Sequence, residues 1–193
     1  MEFRVSNFKI DEKGFWYCEN EEGHCFDQEL CSEIQNIFIE NNINQIVDFG
    51  CGPGRYVRHF RKSGLNCIGY DGNPNTPEYT DGVCKVLDLS ENFELDKVFQ
   101  CVMSLEVGEH IPKKYEQIYI NNLVKHTSDF LLLSWAVPGQ GGDGHVNCQT
   151  NEYIINEVCS RGFVLDSNLA NRIRSSSSLS WFKNTLFVFR KAA

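Results

Sequence analysis

The chain has little positive charge and no long apolar run. Its 193 residues carry 18 Lys and Arg against 26 Asp and Glu, which gives a formal charge of −8. Because nucleic acids and most membrane surfaces are anionic, this balance argues against long nucleic acid or a membrane as the partner. The longest apolar stretch, residues 130–137, is too short to span a bilayer. Residues 1–11 lack the apolar core of a signal peptide, so we expect a cytoplasmic location.

Cys-x-x-Cys pairs are also absent, although the chain has nine cysteines. Nine is an odd number, and several cysteines lie within apolar stretches: Cys51, Cys67, Cys84, Cys101 and Cys159. This pattern favours buried free thiols in a reducing compartment over disulfides. Cys18, His24, Cys25 and Cys31 are close in sequence, but their spacing matches no standard zinc pattern, and zinc is only an alternative there.

A glycine-rich turn follows an apolar run at residues 46–49 that predicts a buried strand. Glycines then occupy every second position: Gly50, Gly52 and Gly54. An amphipathic segment from Tyr56 predicts a helix after the turn. A strand, a glycine turn and a helix together present backbone N–H groups to a ligand. A dinucleotide is not expected, because its fingerprint requires glycine where Arg55 stands; a tight turn that binds nothing is the alternative.

An acidic residue ends the second predicted strand, about twenty residues after the turn. Asp71 follows the apolar run at residues 66–70. A carboxylate at this point can accept hydrogen bonds from both hydroxyls of a ribose, and Gly72 and Asn73 beside it are candidates to contact the same ligand. The alternative is that Asp71 is only a turn residue.

Two carboxylates and an imidazole follow the fourth predicted strand, which ends near Ser104. Glu106, Glu109 and His110 have i, i+3, i+4 spacing, so one helical turn would bring them to one face, although Gly108 makes that turn imperfect. His145, in the glycine-rich loop at 136–147, is the candidate to join them. The alternatives are a structural Glu109–His110 ion pair and a His145 that only contacts substrate or supports its loop.

The alternation of predicted strands and helices indicates a single α/β domain over residues 1–193. We expect a catalytic core at 27–193, with Asp27 capping its first helix, and an N-terminal arm at 1–26. The arm either packs on the domain or forms a lid with Trp16, Tyr17 and His24 facing the substrate. Arg172, Arg174 and Ser175–Ser178 predict a mobile loop that is either a linker or substrate-facing.

The spacing Asp48-x-Gly50-x-Gly52-x-Gly54 resembles the first motif of class I S-adenosylmethionine-dependent methyltransferases. The resemblance implies a Rossmann-like, doubly wound, seven-stranded sheet that is mostly parallel, with the last strand, Leu186–Phe189, antiparallel. It also implies S-adenosylmethionine as cofactor, with candidate contacts at Asp48, Gly50, Cys51, Gly52, Gly54, Asp71, Gly72, Asn73, Asp88, Leu89 and Leu105. In that family an acid at the position of Asp88 binds the adenine amino group, and the N–H of the next residue binds a ring nitrogen. The alternative for Asp88 is a cap for a helix beginning at Glu91.

The run Glu106-x-x-Glu109-His110 resembles two metal-dependent branches of that family, the ubiquinone-biosynthesis O-methyltransferases and the small-RNA 3′-terminal 2′-O-methyltransferases. The resemblance implies a divalent ion, Mg²⁺ or Mn²⁺, with Glu106, Glu109, His110 and His145 as ligands. Glu109, His110 and His145 would also take part in catalysis. The physical reason is that a divalent ion on two adjacent hydroxyls lowers the pKa of one, and a nearby side chain can take its proton.

We therefore expect an O-methyltransferase that acts on a vicinal diol. Residues 134–147 and 181–187 resemble small methyltransferases of glycan-building pathways, which favours a sugar or glycan unit as the small-molecule acceptor. The alternatives are 2′-O-methylation of an RNA 3′ end, against which the charge of −8 argues, and a non-catalytic S-adenosylmethionine-binding domain. The sequence predicts no oligomeric state.

Overall fold

A seven-stranded mixed sheet forms the centre of the protein. The structure is a computed structural model that describes residues 9–18 and 23–192, so residues 1–8 and 19–22 of the predicted arm lie outside it. A small hairpin pairs β1 (Lys9–Ile10) with β2 (Trp16–Tyr17). The strands of the main sheet are β3 (Gln45–Phe49), β4 (Asn66–Asp71), β5 (Cys84–Val86), β6 (Phe99–Ser104), β7 (Thr127–Ser134), β8 (Phe163–Leu165) and β9 (Leu186–Lys191).

The strand order across the sheet is β5-β4-β3-β6-β7-β9-β8. The first five strands are mutually parallel, and β9 is antiparallel to both of its neighbours. The predicted doubly wound sheet with an antiparallel last strand is therefore confirmed. The chain changes its direction across the sheet between β3 and β6. In open α/β sheets, the crevice at the carboxyl ends of the strands beside such a switch point is where ligands bind.

Helices cover both faces of the sheet. They are α1 (Gln28–Glu40), α2 (Arg55–Lys62), α3 (Thr76–Tyr79), α4 (Glu116–Lys125), α5 (Asn151–Cys159), α6 (Ser167–Ser176) and α7 (Phe182–Thr185). Alternate residues of β9 divide between two cores: Leu186 and Val188 pack with α1, α2 and α6, whereas Phe187 and Phe189 pack with α4 and α5. This division follows from the two-residue period of a strand. Within the described ranges, no helix is both long and apolar enough to cross a bilayer.

Asp27 begins α1 as predicted and also fixes the chain after α6. One of its carboxylate oxygens accepts the N–H of Leu30 at 3.0 Å, which caps the helix. The other accepts the Ser177 hydroxyl at 2.6 Å and the Ser178 N–H at 2.8 Å. Burial opposes ionisation, but these hydrogen bonds hold the pKa of Asp27 below its ordinary value. The buried carboxylate of Asp27 therefore links the start of α1 to the chain that follows α6.

The prediction of a mobile loop from Arg172 to Ser178 is wrong. Most of this segment is the last part of α6, which Asp166 caps by accepting the N–H of Leu169. Arg172 makes a two-point ion pair with Glu40 of α1. The segment is therefore held by α1 and is neither a linker nor substrate-facing.

Residues 88–98 contradict the alternative in which Asp88 caps a helix. No helix begins at Glu91, and the chain runs to β6 without regular structure. Asp88 instead accepts the N–H of Ser90 at 2.9 Å and its hydroxyl at 2.6 Å, which makes a tight local turn. Asp88 is therefore not a helix cap.

Candidate active site

The glycine turn between β3 and α2 has a backbone that other residues rarely adopt. Gly50, Gly52 and Gly54 have φ of +81°, +50° and +69°. A Cβ on Gly50 would lie 2.3 Å from the Val107 side chain, and a Cβ on Gly52 would lie 2.6 Å from the His24 ring. Glycine therefore lets this turn lie against both the segment after β6 and the N-terminal arm.

Asp71 joins the end of β4 to the glycine turn. Its carboxylate accepts the Gly52 N–H at 2.8 Å and the Asn73 N–H at 2.9 Å. Burial raises the pKa of Asp71, and these two N–H groups oppose that effect. Asp48, at the end of β3, is buried, and its burial raises its pKa well above the ordinary value. Two acids thus lie beside the turn, as the sequence predicted.

A cavity of about 430 Å³ lies at this edge of the sheet. Most of the predicted site residues line it: Asp48, Gly50, Cys51, Gly52, Asp71, Gly72, Asn73, Asp88, Leu89, Leu105, Glu106, His110 and His145. Gly54, at the start of α2, and Glu109, which is fully buried, do not. The volume is within the range of sites for cofactors and small molecules.

The described part of the N-terminal arm covers the part of the cavity near Asp71 and Asp88. The Lys13 ammonium lies 2.7 Å from a carboxylate oxygen of Asp88. Burial alone would raise the pKa of Asp88, but Lys13 and Ser90 hold it below its ordinary value. The ring of Phe15 packs so closely over Gly72 that a Cβ there would lie 2.5 Å from it.

Glu106, Glu109 and His110 do not lie on one helical turn, which corrects the prediction. Glu106 has a left-handed φ of +53°, and the chain then makes a tight turn in which the His110 N–H donates to the Val107 carbonyl at 3.0 Å. A Cβ on Gly108 would lie 2.3 Å from the Trp135 ring, which packs against this turn. Strained backbone of this kind is frequent at functional sites.

The turn nevertheless brings three of the four predicted metal ligands together, whereas Glu106 is not part of that group. One ligand atom from each of Glu109, His110 and His145 lies within 4.8 Å of the other two, and no other such group of three occurs in residues 9–18 and 23–192. The alternative of a zinc site is therefore not supported, because no such group forms among Cys18, His24, Cys25 and Cys31. All nine cysteines are free thiols. His145 Nε2 lies 3.9 Å from Glu109 Oε1.

Several polar atoms of this cluster and of the neighbouring Glu106 are buried without a hydrogen-bond partner among the described residues. They are Glu106 Oε1, Glu109 Oε1, Glu109 Oε2 and His110 Nδ1. A buried carboxylate without a partner is unfavourable by several kcal/mol, so such atoms call for a bound proton, water or ion. The donor set, carboxylates with imidazoles, fits Mg²⁺, Mn²⁺ or a borderline divalent ion.

Burial is the main cause of the pKa shifts of Glu106, Glu109 and His110. Burial, reinforced by the neighbouring Glu106 carboxylate, raises the pKa of Glu109 well above its ordinary value. Burial also raises the pKa of Glu106. Burial and the charge of His145 lower the pKa of His110 to about 4. His110 is therefore neutral at pH 7 and has a lone pair available for a metal or a proton.

Gln140 orients Glu106 and one member of the cluster, His145. Its side-chain amide donates to Glu106 Oε2 at 2.7 Å, and its backbone oxygen lies 3.1 Å from His145 Nδ1. When Nδ1 donates this bond, the lone pair of His145 is on Nε2, which is the nitrogen facing Glu109. Sequence reasoning missed Gln140, because nothing in the sequence of this glycine-rich loop distinguishes an amide that binds within the site.

Glu116 fixes the other end of the loop that carries His145. This buried carboxylate accepts hydrogen bonds from Lys113 at 2.7 Å, Tyr153 at 2.5 Å and the Asn147 amide at 2.9 Å. The Asn147 N–H in turn donates to the backbone oxygen of Glu109 at 2.9 Å. The glycine-rich loop is therefore anchored to the turn that carries Glu109.

The chain belongs to the family described as methyltransferase domain, whose model matches residues 20–131, more than half of the sequence. No curated protein matches it. The family membership supports S-adenosylmethionine as the methyl donor, and the sheet order is that of a methyltransferase fold.

Solved structures agree with this fold. Magnesium protoporphyrin IX methyltransferase from Synechocystis, with bound S-adenosylhomocysteine, has a TM-score of 0.66 at 15% identity, over 86% of this chain and 83% of that one. The sugar N-methyltransferase KedS8 from a Streptoalloteichus species has a TM-score of 0.67 at 13% identity, over 86% of this chain and 88% of that one. The amino pentose methyltransferase CalS10 from Micromonospora echinaspora has a TM-score of 0.65 at 13% identity, over 84% of this chain and 90% of that one. At these identities the likeness establishes the fold alone.

Proposed function

We propose that this protein transfers the methyl group of S-adenosylmethionine to a hydroxyl of a vicinal diol, most simply on a sugar or glycan unit, with the help of a divalent ion. The observation that carries the proposal is the buried cluster of Glu109, His110 and His145, with polar atoms that lack partners. The cluster lies beside the glycine turn because β3 and β6 are neighbours at the switch point.

The cofactor would lie along the carboxyl ends of β3, β4 and β5. Asp48 is suited to the methionyl amino group, and the glycine turn lets the backbone approach the ligand. Within residues 9–18 and 23–192, Asp71 accepts one backbone N–H on each carboxylate oxygen, which leaves lone pairs for the two ribose hydroxyls. Asp88 and Leu89, which line the far end of the cavity, are suited to the adenine.

Glu109, His110 and His145 are the residues that would hold the ion, and Glu106 would complete the set. A bound divalent ion would supply charge that fixes two adjacent hydroxyl oxygens and lowers the pKa of one. The chain's own contribution is orientation and proton transfer. Gln140 directs His145, and Glu109 has two carboxylate oxygens without a hydrogen-bond partner, so one oxygen could hold the ion while the other accepts the hydroxyl proton.

The charge around the cavity supports a neutral acceptor. Acids outnumber bases in the lining: Asp48, Asp71, Asp88, Glu106 and Asp143 against Lys13 and Arg55. An anionic acceptor such as an RNA end would be repelled, whereas a sugar diol would not. Two proteins of the same fold act on sugars by their names, an amino pentose methyltransferase and a sugar N-methyltransferase.

The same acidic lining favours one second candidate, methyl transfer to the amine of an amino sugar. An ammonium group would be attracted by the carboxylates, and neutral His110 could take its proton before transfer. This reaction needs no metal, so the two candidates differ in their response to a chelator.

The test is methyl transfer to a panel of neutral sugars, amino sugars and short RNA, with and without EDTA and with Mn²⁺ added back. We expect turnover of a neutral sugar that EDTA abolishes and Mn²⁺ restores. Glu109→Gln and His145→Ala should lose the Mn²⁺ response. His59→Ala is the matched control, since His59 on α2 bonds Gln35 of α1 and does not line the cavity. Unchanged turnover in EDTA would remove the metal from the proposal, and methylation of amino sugars alone would favour the second candidate.

A further inference from the structure

The β1–β2 hairpin lies against the proposed catalytic cluster, although it is outside the part of the chain that matches the family. Gly14, in the turn between its strands, has φ +103°, and a Cβ there would lie 2.1 Å from the His110 carbonyl oxygen. The hairpin therefore packs directly on the turn that carries His110. This contact fixes the position of the residues that follow Gly14.

Trp16 is the hairpin residue that reaches the reacting end of the cavity. Its ring centroid lies 5.3 Å from that of His110, with the planes nearly perpendicular at 88°. It also lies 5.3 Å from the ring of His24, which rests on the glycine turn at Gly52. His110 in turn lies 5.0 Å from His145. The indole thus lies between the glycine turn and the imidazoles, and it lines the cavity.

Two earlier residues of the hairpin, Lys13 and Phe15, lie elsewhere in the cavity. Lys13 pairs with Asp88 and Phe15 covers Gly72, and both of these partners belong to the proposed cofactor site. Trp16 lies beyond them, beside the imidazole cluster, where the acceptor must come to receive the methyl group. A large flat ring with an apolar face suits an acceptor that has both hydroxyls and a C–H face, which is the chemistry of a sugar ring.

We propose that Trp16 is a specificity-determining residue, against whose indole the ring of the acceptor stacks while its diol faces His110 and His145. This inference rests on the proposed function. It adds that the acceptor site is completed by the N-terminal hairpin and that acceptors with a cyclic C–H face are preferred over open-chain diols.

The test measures KM and kcat for the best sugar acceptor, together with the Kd values of S-adenosylmethionine and S-adenosylhomocysteine, in three variants. Trp16→Ala should raise the acceptor KM about tenfold, which corresponds to about 1.4 kcal/mol. Its kcat and both Kd values should stay within about twofold of the wild type. Trp16→Phe, which keeps a ring, should raise KM by less. The preference for a cyclic over an open-chain diol should fall in Trp16→Ala.

Tyr17→Ala is the matched control for a loosened hairpin. Tyr17 is on the same strand and donates to Asp11 at 3.0 Å, but it does not line the cavity. An equal rise of KM in Tyr17→Ala would overturn the inference, because the effect would then belong to the hairpin as a whole. Weaker binding of S-adenosylmethionine, with unchanged S-adenosylhomocysteine, would also overturn it, since the ring would then serve the sulfonium.

The inference and the proposed function fail in different ways. If the wild type methylates a sugar and Trp16→Ala has an unchanged acceptor KM, only the inference fails. If the wild type binds the cofactor but methylates no sugar in the panel, the proposed function fails and the inference falls with it.

Discussion

Replacing Asp71 by asparagine tests the cofactor site most directly. In the folded protein the two Asp71 carboxylate oxygens accept the N–H groups of Gly52 and Asn73 at 2.8 and 2.9 Å. Asparagine keeps one oxygen, so its NH₂ group must face one of these donors, and it has no negative charge for a ribose hydroxyl. A hydrogen bond to a charged group contributes about 1.5–3 kcal/mol. Loss of one such bond should therefore raise the Kd of S-adenosylhomocysteine by roughly 10- to 150-fold.

Isothermal titration calorimetry with S-adenosylhomocysteine measures this Kd. Asp81→Asn is the matched control, because Asp81 is exposed, does not line the cavity and has a φ of +51° that asparagine tolerates. Its Kd should equal that of the wild type. A folded Asp71→Asn protein whose Kd stays within about threefold of the wild type would refute the assignment of Asp71 to the ribose.

Two further predictions concern stability and protonation. Asp27→Ala should lower the free energy of unfolding by about 2–4 kcal/mol, because it removes the cap of α1 and leaves buried donors near Ser177 without an acceptor. Since the folded pKa of Asp27 lies below its ordinary value, this stabilisation is present above about pH 4 and is lost as the pH falls through the folded pKa. His110 should titrate near pH 4 in NMR spectra of the metal-free protein. Because the unfolded chain takes up that proton near its ordinary pKa of 6.5, the protein should lose stability as the pH falls from about 6.5 to 4.

Each of these predictions has a clear contrary result. Urea unfolding measures the first, with Gln28→Ala, an exposed position of the same helix turn, as control; an equal loss in both variants would contradict the role given to Asp27. An NMR midpoint of His110 between pH 6 and 7 would contradict the burial that lowers its pKa.

The sequence predicted the elements whose signals are local. The cap at Asp27, the strand before Gly50 and the acid at the end of β4 each depend on residues within one turn or strand, and the structure has all three. The cavity brings most of the predicted site together because the ends of adjacent parallel strands must meet at one edge.

The features that the sequence could not predict depend on distant contacts. The serine-rich end of α6 has few apolar residues, and its helix is held by the ion pair of Arg172 with Glu40, more than 130 positions away. The i, i+3, i+4 spacing suggested a helical turn, but the packing of Gly108 on Trp135 goes with a left-handed Glu106 instead. No periodic pattern in the sequence indicated where the hairpin packs.

The pairing of Lys13 with Asp88 connects the docking of the N-terminal hairpin with the binding of the methyl donor. The carboxylate that the N-terminal hairpin uses as its anchor is the one assigned to the adenine amino group. If Asp88 binds the adenine as proposed, docking of the hairpin and binding of the donor would both involve this carboxylate, and by thermodynamic reciprocity each would change the equilibrium of the other by an equal factor. Exchange of spent donor for fresh donor would then depend on whether a segment only a few residues long stays in place.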